Sequence, residues 1–471
     1  MANGLGNKTV HVVFSVALVA GYVAVLTFVA VRARAAREYS EFSVAKRALP
    51  LALIFGSLAA TYVGPAFSIG FVGKGFQSGF LFLGIGLAYA VQNILVGVFV
   101  APRLRALDHC HTLGDVIGQR YNRQCQIIAG VVSVTLCAGF ATLMAYAGGL
   151  VLRDLFHLPP WSSVTLVAGV TALYTTTGGL RASVVTDAFQ FTAFAILLPV
   201  VLLVALALHL GGDMTGFVEQ AAEATSEGLA SLSVIEIVGL LTAFLLGEAL
   251  IPPYANRALA SKTTRVSRNG FVLAGLFTVV WFVVMISLGV VARGVLADGV
   301  EEDLVLLSLV KQTIPVEGYA LLLVVTVSVV MSSFDSLLNA GAVAFTQDIV
   351  RPLRKLSDSA ALSTGRVATV VIAAAAAAGA LTVPGIIKGL IRCYTVWAPA
   401  ILPALVLGLW LKRPRPLAGM LSMITGALVA LLFQWRSPDM SGATPILPAL
   451  GAALVAYLLG HVAGTTTGEG R

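Results

Sequence analysis

Four oxygen-bearing side chains, Ser332, Ser333, Asp335 and Ser336, fall within five positions of an otherwise apolar stretch, Val325-Thr-Val-Ser-Val-Val-Met-Ser-Ser-Phe-Asp-Ser-Leu-Leu-Asn339. The stretch reads as a membrane-spanning helix. Polar groups at membrane depth are costly unless they face a partner, a cavity or an ion, so such a cluster marks a pathway. Hydroxyls and a carboxylate offer only oxygen, which suits a small hard cation. The spacing points to a cation site within a membrane protein. The bland alternative for Ser332 and Ser333 is back-bonding to carbonyls four residues earlier.

The elements that must position this cluster are membrane helices. The chain is 58% apolar and 11% charged, whereas soluble domains run near about 25% charged. Thirteen apolar runs of roughly 17–25 residues fill nearly all 471 residues, from about 9–33 to 443–463. That leaves no room for a soluble catalytic or nucleic-acid-binding domain. With the N-terminus outside, most of the 30 Lys and Arg fall in inner loops, among them Arg32, Arg34, Arg103, Arg105, Arg257 and Arg268. Acids gather in outer loops, at Asp213, Glu219, Glu223 and Glu227 and at Asp298, Glu301, Glu302 and Asp303. The positive-inside rule therefore predicts an inner or plasma membrane protein with its N-terminus outside and its C-terminus cytoplasmic. The net charge of +8 belongs to loops beside lipid rather than to a nucleic-acid surface. Four cysteines lie in inner loops or spans and imply no disulfide framework. Asp108-His-Cys-His111 reads as a solvated loop rather than a metal site.

Two spans carry helix breakers at mid-length. Gly64-Pro65 interrupts the second, and Gly247-Glu-Ala-Leu-Ile-Pro-Pro-Tyr254 interrupts the seventh. Proline removes a backbone donor and glycine tolerates non-helical angles, so carbonyls one turn earlier are freed. The two breaks lie five helices apart and cross in opposite directions. This predicts two inverted five-helix repeats, 50–211 and 233–411, within a single transmembrane domain over 1–471, with one helix before them and two after. The outer loop at 295–317 holds an apolar run too short to span, read as a helix packed over the outer vestibule.

The order of motifs resembles the sodium:solute symporters, with a LeuT-like inverted-repeat fold, over about residues 10–435. The matching segments are Phe42-Ser-Val-Ala-Lys-Arg-Ala-Leu-Pro50, Thr112-Leu-Gly-Asp-Val-Ile-Gly-Gln-Arg-Tyr121, Tyr174 to Gln190 with its Gly-Gly and Thr-Asp-x-x-Gln elements, and Ser332 through Asn339 to Asp348-Ile349. Pro403-Ala-Leu-Val-Leu-Gly-Leu-Trp410 ends the series. The resemblance implies a sodium site made by the carbonyls of Ala60, Val63 and Val329 and the hydroxyls of Ser332 and Ser333. For some members it implies a second cation site, which maps onto Asp187, Ser332, Asp335 and Ser336. Alternatively Asp187 pairs with Arg181 or serves the dipole of its own helix.

The resemblance and the breaks together place Tyr62, Phe67, Ser68, Gln92, Glu248, Tyr254, Tyr394 and Trp397 at a solute site. Several members carry an acid or amide where this chain has Tyr62, which puts in doubt any solute carried over from proline or sugar carriers, and Gly86 stands where the galactose carrier has a sugar-binding acid, which argues mildly against a sugar. Glu248 either faces a cationic or amino group on the solute or pairs with Arg257. The implied activity is secondary active symport of a small organic solute, an amino acid or small carboxylate, driven by inward sodium flow. No cofactor beyond sodium is implied, no enzyme activity, and a monomer suffices. The competing readings are proton coupling through Asp187 and Asp335, and a membrane sensory module.

Overall fold

The computed structural model describes residues 36–471 except 211–213, 298, 315, 437–443 and 467–471; ahead of residue 36 it describes only 17–18, 21–22, 24–25 and 28. Most of the first expected span, about 9–33, lies outside the described residues, as do Asp213 and Asp298. Among the described residues the protein is all helix, with one isolated bridge between Leu49 and Ser261. Among the described residues nine helices are long and apolar enough to cross a membrane, or up to eleven if each of two bent pairs is one span.

The helices that build the site are α1 (Leu51–Tyr62), α2 (Ala66–Ser78), α3 (Leu81–Ala106), α4 (Arg123–Phe156) and α5 (Pro160–Leu210), followed by α6 (Met214–Ala230), α7 (Val234–Leu246), α8 (Pro252–Ala260), α9 (Thr264–Val295) and α10 (Val305–Thr313), and then α11 (Val316–Ala344), α12 (Asp358–Ala380) and α13 (Ile386–Trp410). At about 1.5 Å per residue, the 51 residues of α5 would far exceed a bilayer core of about 30 Å. Gly179 breaks it, at φ +58, a left-handed conformation that glycine adopts without strain. A side chain there would also meet the Phe42 backbone at 2.6 Å. The acids Glu219, Glu223 and Glu227, read as a loop, lie instead on helix α6. The short run at 304–312 is helical, as α10.

Helix α11 is sheathed by protein: every residue of its most apolar window is buried, and it packs on α4 and α5. Such enclosure is what lets a spanning helix carry the Ser332 cluster. α1 packs on α5 and α9. At one end of the bundle the start of α1 is tied to the end of α8. The Leu49 N–H donates to the Ala260 carbonyl at 3.1 Å, and the Lys262 N–H donates to the Leu49 carbonyl at 2.9 Å. Arg105 adds bonds to the carbonyls of Ser261 and, at 3.1 Å, Lys262.

The opposite end is closed by the segment before α10. Asp303 accepts from the Ile386 N–H at 3.1 Å and so caps α13, beside a Lys74–Glu302 ion pair at 2.9 Å. Burial pushes the Asp303 carboxyl from 3.8 up to about 6, against the opposing Ile386 bond. An acid whose pKa is higher in the folded state favours the fold below its unfolded pKa, and that contribution is lost as pH rises through the folded value. The melting temperature should therefore fall between about pH 4 and pH 6 on this group's account. Asp303→Asn should flatten that slope in a thermal unfolding series. A variant profile parallel to the native one would exclude Asp303 as its source.

Candidate ion and solute site

The α1–α2 break is local in origin. Val63 donates the last helical bond, to Ala59, after which Phe67 and Ser68 both donate to the Gly64 carbonyl at 3.0 Å. Pro65 has no N–H to offer the Thr61 carbonyl, and the two helices diverge by 58°. The α7–α8 break combines Gly247 with Leu250 at φ +52, a conformation uncommon for a residue with a side chain and frequent at functional sites. Pro252 and Pro253 then open α8, where a missing N–H is tolerated. Trp397 braces this turn by donating to the Ala249 carbonyl at 3.0 Å, and Ser68 braces the other by donating to the Val63 carbonyl at 2.6 Å.

Ser333 of α11 points at the first break. Its hydroxyl is buried without a hydrogen-bond partner, and a Cβ built on Gly64 would sit 2.7 Å from it. Thr61, Gly64, Ser333 and Glu248 are among the residues lining a cavity of about 20 Å³ between the two breaks, room for about one water-sized particle. Ser332 donates to the Val329 carbonyl at 3.0 Å, the back-bonding alternative in its i−3 form, while its lone pairs stay available. The expected oxygens of Val63, Val329, Ser332 and Ser333 thus lie on the two backbones that meet here, with Ala60 one turn before the break.

The set expected for a second cation also gathers, with a difference. The Arg257 guanidinium is inside it: Nη2 donates to Asp187 at 2.9 Å and to the Ser336 hydroxyl, Nε to Ser57 at 2.9 Å, and Nη1 to the Pro253 carbonyl at 2.9 Å. Both members of the Arg257–Asp187 pair are fully buried. Asp187 is therefore not paired with Arg181, and Arg257 is neither a loop charge nor the partner of Glu248. The physical reason is that α8 brings its first turns against α1 and α11, and a buried guanidinium needs a buried acid. Asp335 stands beside this pair, accepting from Ser183 at 3.0 Å and Ser336 at 3.1 Å. Ser57 and Ser183 were missed in the sequence, and Arg257 was set in an inner loop or opposite Glu248. An arginine five residues past a helix break, among apolar neighbours, was the available signal.

Of the expected solute-site residues, Tyr62, Phe67, Glu248, Tyr254 and Tyr394 come together. Glu248 accepts from Tyr254 at 2.7 Å and from Tyr394 at 2.5 Å, and Tyr89 meets Tyr254 at 3.1 Å. The Tyr62 ring lies edge-on to Tyr254 at 4.6 Å, its hydroxyl buried and unpartnered. The Phe67 ring lies tilted against Tyr89, 4.4 Å between centroids. Gln92 is buried beside Asn93 and is not among the residues lining the cavity.

The model of the sodium:solute symporter family matches residues 42–426. The uncharacterized symporter YidK of Escherichia coli is 26% identical over 353 residues, which cover 70% of this chain and 61% of that protein, less than two thirds of its length. The sodium/pantothenate symporter of the same organism is 24% identical over 450 residues, covering 91% of each chain. Among solved structures, a Na+-coupled sialic acid symporter in a substrate-bound, outward-open state superimposes with a TM-score of 0.80 at 16% identity, covering 95% of this chain and 98% of that one. The last likeness shows the fold alone. All of these matches are transporters rather than enzymes.

Proposed function

This chain belongs to the sodium:solute symporter family, and on that premise we propose a multi-pass transporter of the inner or plasma membrane that takes up a small organic solute with inward sodium flow. One observation carries the ion site: the partnerless Ser333 hydroxyl aimed at the Gly64 break. Sodium is taken there by the carbonyls of Ala60, Val63 and Val329 and the hydroxyls of Ser332 and Ser333, five neutral oxygens suited to a monovalent cation. Binding ties the broken helix to α11. That closure favours solute binding beside Glu248, and the two affinities are reciprocally linked. Opening the Leu49–Ser261 end toward the cytoplasm loosens the same carbonyls and releases both.

Thirteen spans with the N-terminus outside, in two inverted repeats over 50–211 and 233–411, fit the positions of the two breaks and the split of α5 at Gly179. The Asp187, Ser332, Asp335 and Ser336 set is read as holding a fixed guanidinium charge rather than a second sodium. Proton coupling stays as the second reading because Asp335 has hydroxyl neighbours and, among the described residues, no ion pair.

Sodium should raise the melting temperature of detergent-purified protein above its value in potassium at equal ionic strength, since a ligand of the folded state stabilises it by mass action. An identical transition in the two salts, with uptake into proteoliposomes driven by a pH gradient, would move the assignment to Asp335 and protons.

A further inference from the structure

We infer that the transported solute carries a cationic nitrogen, protonated or quaternary, which binds against Glu248 in a ring of aromatic side chains. The inference rests on the symport reading above and names the solute class of the same site.

Glu248 is buried at the break between α7 and α8, and among the described residues it makes no ion pair with a lysine, arginine or histidine. The basic side chain nearest in sequence, Arg257, is spent on Asp187. What surrounds the carboxylate is phenol and phenyl. Tyr254 and Tyr394 each donate to a different oxygen, so both oxygens are held by phenols rather than by a basic group. A lone buried carboxylate is among the costliest groups a membrane interior can hold. A cationic group on a bound solute supplies the missing counter-charge.

The lining of the adjoining cavity completes the specificity. Phe67 and Phe140 are part of it, and Glu248 is its one charged member. Aromatic faces present negative charge and attract cations, which is how ammonium groups are recognised in desolvated cages. A solute bearing only a carboxylate would meet Glu248 with no basic group to offset the repulsion, so the small-carboxylate class expected from the resemblance is disfavoured. A zwitterion is compatible only with its carboxylate held away from Glu248 and from the start of α8, where Pro252 and Pro253 have no N–H and the Tyr254 and Ala255 N–H groups both donate to the Ile251 carbonyl. The cavity, about 20 Å³, is too small for such a solute. Tyr254 and Tyr394 must swing from the carboxylate to admit it, exchanging phenol hydrogen bonds for an ionic contact.

The test uses pairs that differ only in the charged atom. Choline is compared with 3,3-dimethylbutanol, betaine with 3,3-dimethylbutyrate, and proline with cyclopentanecarboxylate, in thermal unfolding of the purified full chain in sodium buffer. At least one nitrogen-bearing probe is expected to stabilise the protein at concentrations tenfold or more below its carbon counterpart, and Glu248→Gln should remove that preference. Equal shifts from both members of every pair, or no shift from any nitrogen-bearing probe, would overturn the inference. The sodium-against-potassium comparison without solute reports on the symport reading separately, so a failure of solute class and a failure of sodium coupling are told apart. Comparing isosteres on the native protein keeps the test valid whatever the fold of the variant.

Discussion

Asp187→Ala, made with Arg257 in place, is expected to destabilise the protein by about 3–5 kcal/mol, the cost of leaving one member of a buried ion pair without its partner. Four elements meet at this point: Ser57 from α1, Asp187 from α5, Arg257 from α8 and Ser336 from α11. The Ser57 hydroxyl also donates to Asp187 at 2.5 Å. Removing the carboxylate strands a guanidinium that has no route to water, while replacing the pair together, as Asp187→Leu with Arg257→Met, should recover much of the loss. Unfolding of Asp187→Leu, of Arg257→Met and of the two combined closes a double-mutant cycle that measures the coupling. Single variants whose losses simply add would mean that the pair is not coupled in the folded protein. The same cycle bears on ion stoichiometry. If the guanidinium serves as a tethered cation, sodium titration of the native protein follows a one-site isotherm.

Ser333→Ala should weaken sodium binding about 10–100-fold, and Ser332→Ala with Ser333→Ala should abolish sodium-driven uptake while leaving the fold intact. A contact between a hydroxyl and a charge is worth about 1.5–3 kcal/mol, and each 1.4 kcal/mol or so is tenfold in affinity. Ser333 spends no hydrogen bond inside the protein, so truncating it strands no donor or acceptor and little stability should be lost. Ser332 gives up one bond to Val329, which the helix backbone does without. The sodium dependence of the melting temperature, read alongside uptake, separates lost binding from lost folding. Native transport kinetics in the double variant would sink the assigned site.

Much of this architecture was legible in the sequence because it depends on local chemistry. Gly64-Pro65 and Gly247 to Pro253 break their helices by removing donors and admitting unusual backbone angles, wherever the rest of the chain goes. The Ser332 cluster was legible for a similar reason, since hydroxyls within an apolar run need an explanation at any position. The loop between α5 and α7 was misjudged because α6 alternates acids with small residues. Charge suggested a solvated segment, yet its Phe217, Ala221 and Ala224 form a buried stripe that a loop reading overlooks.

The partners of the buried charges could not be read in this way. Glu248, nine residues away in the sequence, was the partner that proximity offered Arg257, yet Arg257 bonds Asp187, 70 residues away, with Ser57 a further 130 residues from that acid. That choice follows from which helices pack together, and burial enforces it, because a guanidinium without water takes the acid that packing supplies. Glu248 acquires its tyrosines for the same reason, Tyr394 reaching it across 146 residues. Hydropathy and helix breaking act over a turn or two and were set by the sequence itself. Pairing among buried ions and phenols acts across the bundle, and the tertiary structure alone decided it.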